Sequence, residues 1–332
     1  MGEHVTIADV ANYLGVSKST VSHALSGKRR ISSEVRSRVQ RAIEELGYRP
    51  NFAAQVMNTR QTGLVGVLVD SLSNPHTTRL LEEFGRELSL HSIQMVLGST
   101  DRLDDGRTLL AKFSNGMVDG ILNTLPELDE NEAQELAGSV PLVTYRRHRE
   151  APLVIDFAAG VRAAIAYLEG LGHRRIAIIP AETRALHGGE DPCLTAYRGL
   201  TALRNQPLRI FPAPGGSIQS GIEVAEALFE SDASAVLAGN DAIAAGLIQW
   251  ANARGIRLPE RMSIIGHDDS PLAAMTSPPL TSIRLPIKPI AVHTVQVLMH
   301  AINPANPMPE PLTIIPELAI RNSTSPEAAA TK

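Results

Sequence analysis

A chain of 332 residues is too long for one ordinary core and requires either one large α/β unit or two to three domains. With 43% hydrophobic and 20% charged residues it has the balance of a water-soluble globular protein, and its single cysteine, Cys193, excludes an intrachain disulfide and a cysteine metal cluster and fits a reducing cytoplasm. The net charge of −4 hides an asymmetry, because residues 1–60 hold nine Lys/Arg against five Asp/Glu while the remainder holds 22 against 30, so a small basic module is expected on an acidic body.

Residues 1–10 carry Glu3, His4 and Asp9 without an apolar stretch, which does not fit a signal peptide, and no run reaches the roughly 18 apolar residues of a membrane span. Thr6, with Asp9 three residues on, marks the start of a helix whose apolar set is Ile7, Val10, Ala11 and Leu14, stopped by Gly15. Ser17 caps a second helix that buries Val21, Ala24 and Leu25, shows Lys18, Ser19, Ser22 and His23 on its other side, and stops at Gly27. A third runs from Ser32 through Val35, Val39, Ala42, Ile43 and Leu46 to Gly47, with Arg36, Arg38 and Arg41 interspersed. Pro50 ends this unit. Residues 51–58 follow as good helix formers in a segment too short to be a stable helix alone.

From Gly63 short apolar runs alternate with longer amphipathic stretches: 64–69, 93–98, 120–124, 141–145 and 153–155, then 176–180, 208–211, 235–239 and 262–266. Such alternation predicts βαβ units and parallel sheets, and about 270 residues of it predict two similar subdomains with a cleft between them. The polar, alanine-rich end from Ser323 to Lys332 is expected to be disordered.

The stretch from Thr6 to Gly27 (TIADVANYLGVSKSTVSHALSG), followed by ELGYRPN at 45–51, resembles the lactose/galactose repressor family of bacterial transcription regulators. LGHRRI at 171–176, GNDAIAAG at 239–246, IGHDD at 265–269, PLTSI at 279–283 and LAIR at 318–321 fall in that family's order and approximate spacing. The resemblance implies an all-α helix-turn-helix module at 1–50, a hinge helix or linker at 51–61, and an effector-binding and dimerisation body at 62–325. That body resembles periplasmic sugar-binding proteins, with two doubly wound parallel-sheet subdomains; a disordered tail at 326–332 completes the expected division.

In a helix-turn-helix the second helix enters the major groove with its N-terminal residues at base edges. Those residues are Lys18 and Ser19, with His23 one turn on, and the family places its specificity residues at the same three positions. Thr6, Ser17, Thr20, Ser22 and Arg36 would hold phosphates, although capping alone also explains Thr6 and Ser17. Lys28, Arg29 and Arg30 form a basic run suited either to phosphate attraction or to plain solvation. The resemblance adds Asn51, Ala54 and Met57 in the hinge. Met57 stands where the family wedges a leucine into the minor groove, unless it packs on the body.

Ligands of open α/β sheets bind at strand carboxyl ends. The residues there are 70–76, Asn123 and Thr124, 146–149, Asp156 and Phe157, Asn240 and Asp241, and Asp268 and Asp269. Asn74, His76, Thr124, Arg146, Phe157, Asn240 and Asp268 are the effector candidates. Asn240 and Asp268 match the family's ligand-facing positions, Asp241 is read rather as a helix N-cap, and Phe157 serves equally as core. In many members an arginine stands three residues before a helix glycine; matching that glycine to Gly199 puts Ala196 in its place, with Arg198 about 200° around the helix. This departure leaves the effector open between a neutral sugar and an anionic sugar derivative held by the cluster Arg146, Arg147, His148 and Arg149, which is otherwise a solvated loop.

The expected function is therefore repression by a homodimer on palindromic double-stranded operator DNA, with a small-molecule effector, no cofactor, no metal, no catalysis and no membrane. Two alternatives compete. An enzyme with an appended helical module lacks support because G-x-S-x-G, Walker, G-x-G-x-x-G and H-E-x-x-H motifs are absent, and His173 reads as a C-terminal capping cation. A ligand-independent architectural DNA binder leaves the polar strand ends without a role.

Overall fold

The computed structural model describes residues 5–26, 31–48, 56, 61–69, 72, 74–100, 103–125, 128, 130–145, 153–180, 192–203, 207 and 209–327. The chain divides into two compact units, Met1–Thr62 and Gly63–Lys332.

The first unit holds three helices. The Asp9 carboxylate accepts from both the Thr6 N–H (2.8 Å) and the Thr6 hydroxyl (2.7 Å), which fixes the entry to α1 (Ile7–Leu14) and holds Asp9 below the usual carboxylate range. Gly15 ends α1 at φ 65°, a left-handed conformation that a β-carbon would strain. Ser17 Oγ then accepts from Thr20 N–H (3.1 Å) and opens α2 (Lys18–Ser26). Ser32 Oγ accepts from Val35 N–H (3.3 Å) at the start of α3 (Ser33–Leu46). Val10, Ala11, Val21, Val39 and Ala42 interlock at the centre, and two polar ties reinforce them: Tyr13 Oη donates to Glu45 (2.8 Å) and Arg38 donates to the Leu14 carbonyl at the end of α1 (3.3 Å). Leu25, expected inside, is 41% exposed, because a core made by three short helices covers only the Val21 and Ala24 stripe of α2.

The second unit begins with β1 (Leu64–Val69), α4 (Pro75–Leu90), β2 (Gln94–Ser99), α5 (Leu103–Ser114), β3 (Gly120–Asn123), α6 (Glu130–Ala137) and β4 (Leu142–Thr144). The strands form a parallel sheet in the order β2-β1-β3-β4. Val65, Val67 and Val69 face α4, while Leu68 and Ile121 face α5 and α6, so the sheet is covered on both sides and its strands read as continuous apolar runs.

After β5 (Leu153–Ile155) the chain crosses into a second half: α7 (Phe157–Gly170), β6 (Ile176–Ile179), α8 (Pro192–Leu203), α9 (Ile218–Glu230), β7 (Ala235–Ala238), α10 (Asp241–Ala253), β8 (Ser263–Asp268), α11 (Pro271–Met275) and β9 (Thr281–Arg284). It returns to the first half with α12 (Ile287–Ile302), whose Ile290, Val295 and Leu298 join the β1 core. β10 (Leu312–Ile314) pairs in parallel with β5, and β11 (Glu317–Ala319) runs antiparallel on β9. The second sheet thus has the order β11-β9-β8-β7-β6, with α9 and α10 packed on one face and α7 and α8 on the other. These three crossings between the halves match the expected pair of doubly wound subdomains.

Three further expectations are corrected. Of the run 208–211, the described residues 209–211 supply a single bridge, Ile210 to Ile178, instead of a strand, with the Arg209 carbonyl and the Phe211 N–H bonded to Ile178. The described residues from Ser323 through Glu327 form an ordered strap: Ser323 Oγ donates to the Ile264 carbonyl (2.5 Å) and accepts from Thr281 N–H (2.8 Å), while Glu327 pairs with Arg175 (2.6 Å). His173 is no capping cation. It is buried, its ring meets Ser234 and Ser263 Oγ (each 2.9 Å) and the Ser325 carbonyl (3.0 Å), and burial lowers its pKa so that the neutral form is favoured. Among the described residues no helix is long and apolar enough to cross a membrane.

Candidate functional site

On α2 the packing of Val21 and Ala24 dictates which residues face outward. Lys18, Ser19 and Ser22 are exposed, with Thr20 and His23 half-buried beside them. Ser17 Oγ lies 2.7 Å from Ser19 Oγ and 2.8 Å from Thr20 Oγ1, so a hydroxyl cluster sits at the start of the helix, next to Lys18 and with no acidic residue in the first turn. Backbone N–H groups, hydroxyls and an ammonium there form a donor-rich surface suited to phosphate and base edges. Arg36 on α3 and Thr6 ahead of α1 are exposed as well. Ser17 caps α2 through its side chain, whereas Thr6 stands at the N-cap position of α1 with its hydroxyl donating to Asp9. The hinge candidates Asn51, Ala54 and Met57, and the basic run Lys28, Arg29 and Arg30, lie outside the described residues.

In the second unit the candidates converge at the carboxyl end of β8. Gly266 in that strand has no room for a β-carbon, which would overlap Asp241 Oδ1; the close approach lets Asp241 reach past the strand. Asp241 accepts from Ser270 N–H and Ser282 Oγ (each 2.6 Å) and thereby braces the turn that follows β8. Burial, then the Asp268 charge, raise its carboxyl to about 7. In that turn Asp268 and Asp269 adopt φ 97° and 50°, left-handed conformations uncommon outside glycine. Asp269 is bound by Arg284 and Arg321 (each 2.6 Å), which leaves the strand end presenting Asp268.

Two imidazoles share the Asp268 carboxylate. His267 Nδ1 lies 3.1 Å and His76 Nδ1 3.4 Å from the same Oδ1 atom. His267 belongs to the second half and is stacked on Phe157 (5.8 Å between centroids), with Cys193 Sγ 3.9 Å from its Nε2. Burial opposes charge on His267, but Cys193 and Asp268 outweigh it and lift the ring to about 10. His76 comes from the first turn of α4 in the first half, with Tyr145 Oη 3.5 Å from its Nε2. Arg79, one turn further along α4, donates to the Asp269 carbonyl (3.1 Å). The cleft between the halves is therefore bridged directly by side chains.

The structure brings His76, Phe157 and Asp268 together at this point. The other candidates are drawn into local structure. Asn74 caps α4 by accepting from His76 N–H (2.9 Å), and Thr124 donates to the Leu68 carbonyl (2.7 Å). Asn240 caps α10 through Ile243 N–H (2.8 Å) while its amide donates to the Gly216 carbonyl (2.9 Å). Asp241 is consequently the first helical residue rather than the cap. Asp156 caps α7 through Ala159 N–H (2.8 Å). Ala196 packs into the α7–α8 core, and Arg198 is exposed. Arg146 lies outside the described residues. His267, Tyr145 and Cys193 escaped the sequence reading. For His267 and Tyr145 the available signal was their position at the ends of the same apolar runs. Among the described residues no group of three His, Cys, Asp or Glu is placed to hold a metal ion.

Comparison with known proteins bears on both surfaces. The family profile described as bacterial regulatory proteins, lacI family, matches residues 6–51, and one described as a periplasmic binding protein-like domain matches residues 165–324. The HTH-type transcriptional regulator DegA of Bacillus subtilis (strain 168) is 30% identical over 97% of this chain and 98% of its own length. Catabolite control protein A of Priestia megaterium is 30% identical over 90% of this chain and 93% of its own. Among solved structures, the lac repressor dimer bound to operator and the anti-inducer ONPF superposes with a TM-score of 0.83 at 22% identity, covering 97% of this chain and all of that one. The transcriptional regulator CelR–cellobiose complex superposes with a TM-score of 0.67 at 26% identity, covering 96% of this chain and all of that one.

Proposed function

The chain belongs to the lacI family of bacterial regulatory proteins, and from that premise we propose that it is a homodimeric repressor whose grip on operator DNA is set by a sugar or sugar derivative bound at Asp268. The observation that carries the DNA half is the polar stripe Lys18, Ser19, Ser22 and His23 on a helix anchored through Val21 to a sealed core. In this reading Lys18 donates to guanine edges, and Ser19 and His23 read neighbouring pairs. Thr6, Ser17, Thr20, Ser22 and Arg36, with Asn51 and Ala54 in the hinge, fix the register on the backbone, and Met57 wedges between bases. Two half-sites require two copies, hence the dimer and the palindrome. Sugar binding is supported by the cellobiose complex of CelR and by a carboxylate held at a strand end between two halves. Catalysis has no part in this mechanism.

Selection of bound sequences from a randomised duplex library tests the proposal. Lys18→Ala and His23→Ala should each relax preference at one position of the half-site, by about 1–3 kcal/mol for a bidentate pair. Arg36→Ala should weaken all sequences alike and lower the slope of log affinity against log salt by about 0.9 per lost phosphate contact. Unchanged base preference in both recognition-helix variants would remove α2 from the interface.

A further inference from the structure

We infer that His76 is an intramolecular competitor for the effector, occupying Asp268 across the cleft so that a ligand reaches the carboxylate only by displacing it. The inference rests on the reading of Asp268 as the effector's anchor and adds how that anchor is regulated. Of the two imidazoles on Asp268 Oδ1, His267 is the neighbouring residue of the same strand and stays with the carboxylate whatever the halves do. Of the two, His76, on α4 of the other half, couples the occupancy of Asp268 to the separation of the halves.

The geometry suits a contact meant to yield. At 3.4 Å the His76 contact is longer than a well-made N–H···O bond of about 2.9–3.0 Å, so a ligand hydroxyl settling at about 2.7–2.8 Å competes on favourable terms. Its neighbour on α4, Arg79, binds a backbone carbonyl of the same turn, so α4 closes on the β8 turn at two points that open together. A closed cleft stabilised in this way reduces the apparent affinity for a ligand by the fraction of molecules that are open.

The contact also carries a proton dependence. Among the described residues, the titratable groups around His76 from the surrounding elements are Tyr145 at the end of β4, Asp268 and His267 on β8, with Asp241 at the start of α10 and Cys193 on α8 behind them. An imidazolium at His76 makes the contact with Asp268 charge-assisted, so acid closes the cleft more firmly and effector affinity drops with it.

Hydrogen exchange on the full chain, without ligand, at about pH 5.5 and about pH 8, on either side of the imidazole range, provides the test. After correction for intrinsic rates, wild-type amides at 76–80 and 267–270 should exchange more slowly at the lower pH. His76→Ala should expose them at both pH values, with β7 protection unchanged as the control for folding. His76→Gln, which keeps a donor but does not titrate, should retain protection near pH 8 and lose the pH difference. Wild-type protection in His76→Ala, or a pH difference that survives in His76→Gln, overturns the inference. In a parallel thermal-shift screen with D-ribose, lactose and cellobiose, a sugar bound by the wild type should bind His76→Ala at least about threefold more tightly, and unchanged or weaker binding counts against the competitor. If no sugar stabilises either protein while the exchange differences hold, the effector reading fails and the cleft contact stands.

Discussion

The turn after β8 shows how single residues carry cost and purpose together. Two successive non-glycine residues, Asp268 and Asp269, are held at positive φ, a conformation that persists only when surrounding contacts over-determine it. Asp241 supplies those contacts from below and the Arg284–Asp269–Arg321 bridge supplies them from the side. Gly266 is the residue that permits the arrangement, since a methyl group there would meet both Asp241 Oδ1 and Leu280. Gly266→Ala is therefore expected to destabilise the body by about 1–3 kcal/mol, read by urea denaturation, because the overlap is with fixed groups on both sides. Wild-type stability in that variant would mean that the turn is softer than its hydrogen bonds imply. Asp268→Ala should leave the fold and operator binding intact while removing about 1.5–3 kcal/mol of effector binding, measured by calorimetry on whichever sugar the screen returns. A variant with wild-type affinity would take Asp268 out of the site.

At the scale of elements, the three N-terminal helices and most of the parallel strands were legible because their periodicities are strong and their stops explicit. Thr6 with Asp9, Gly15, Ser32 and Gly47 each act where the chain suggests. The strands β9, β10 and β11 were missed as strands because they lie beside prolines at the crossings between the halves, outside the regular strand–helix alternation that revealed equally short strands elsewhere. The candidate site was legible only in part. Asp268, His76 and Phe157 lie far apart in sequence, and the cross-half partner of Asp268 depends on how two sheets face each other, which no local pattern encodes. Asn74, Thr124 and Asn240 have residue types that serve ligands and backbone equally well, and here they serve the backbone. Residues 323–327 were misread for a related reason, since a polar segment looks dispensable until its partners are known. Ser323 fills that role, joining β8 to β9 through one hydroxyl. Ser323→Ala would strand the buried Thr281 N–H, and a loss of about 1–3 kcal/mol in chemical denaturation is expected. A neutral result would show that water replaces the hydroxyl.

For the molecule as a whole, three buried ionisable groups of the body set opposing pH dependences, and their signs can be separated. Burial lowers the pKa of His173 and of His293, whose ring donates to the Glu310 carbonyl, so both favour the neutral imidazole in the folded state. Stability from such groups is present above the unfolded histidine pKa of about 6.5 and is lost as pH falls through it towards the folded value. Asp241 works the other way: its folded pKa of about 7 exceeds the model carboxylate value of 3.8, so the folded state binds the extra proton and the body gains stability as pH falls from about 7 towards 4. His173 dominates the architecture of the argument because it joins the end of α7, the entries to β7 and β8, and the C-terminal strap through Ser234, Ser263 and Ser325. The neutral ring carries its proton on Nε2, which faces the Ser325 carbonyl, so an added proton on Nδ1 leaves the Ser234 hydroxyl facing a donor where it had an acceptor. Comparing the wild type with His173→Gln, whose amide keeps a donor and an acceptor without titrating, isolates this contribution from that of Asp241. The wild type should lose more stability than the variant between about pH 7.5 and about pH 5.5, the window in which the unfolded imidazole takes up its proton. Parallel stability profiles in the two proteins would mean that the strap yields to the proton without cost, and that the acid sensitivity of the body resides elsewhere.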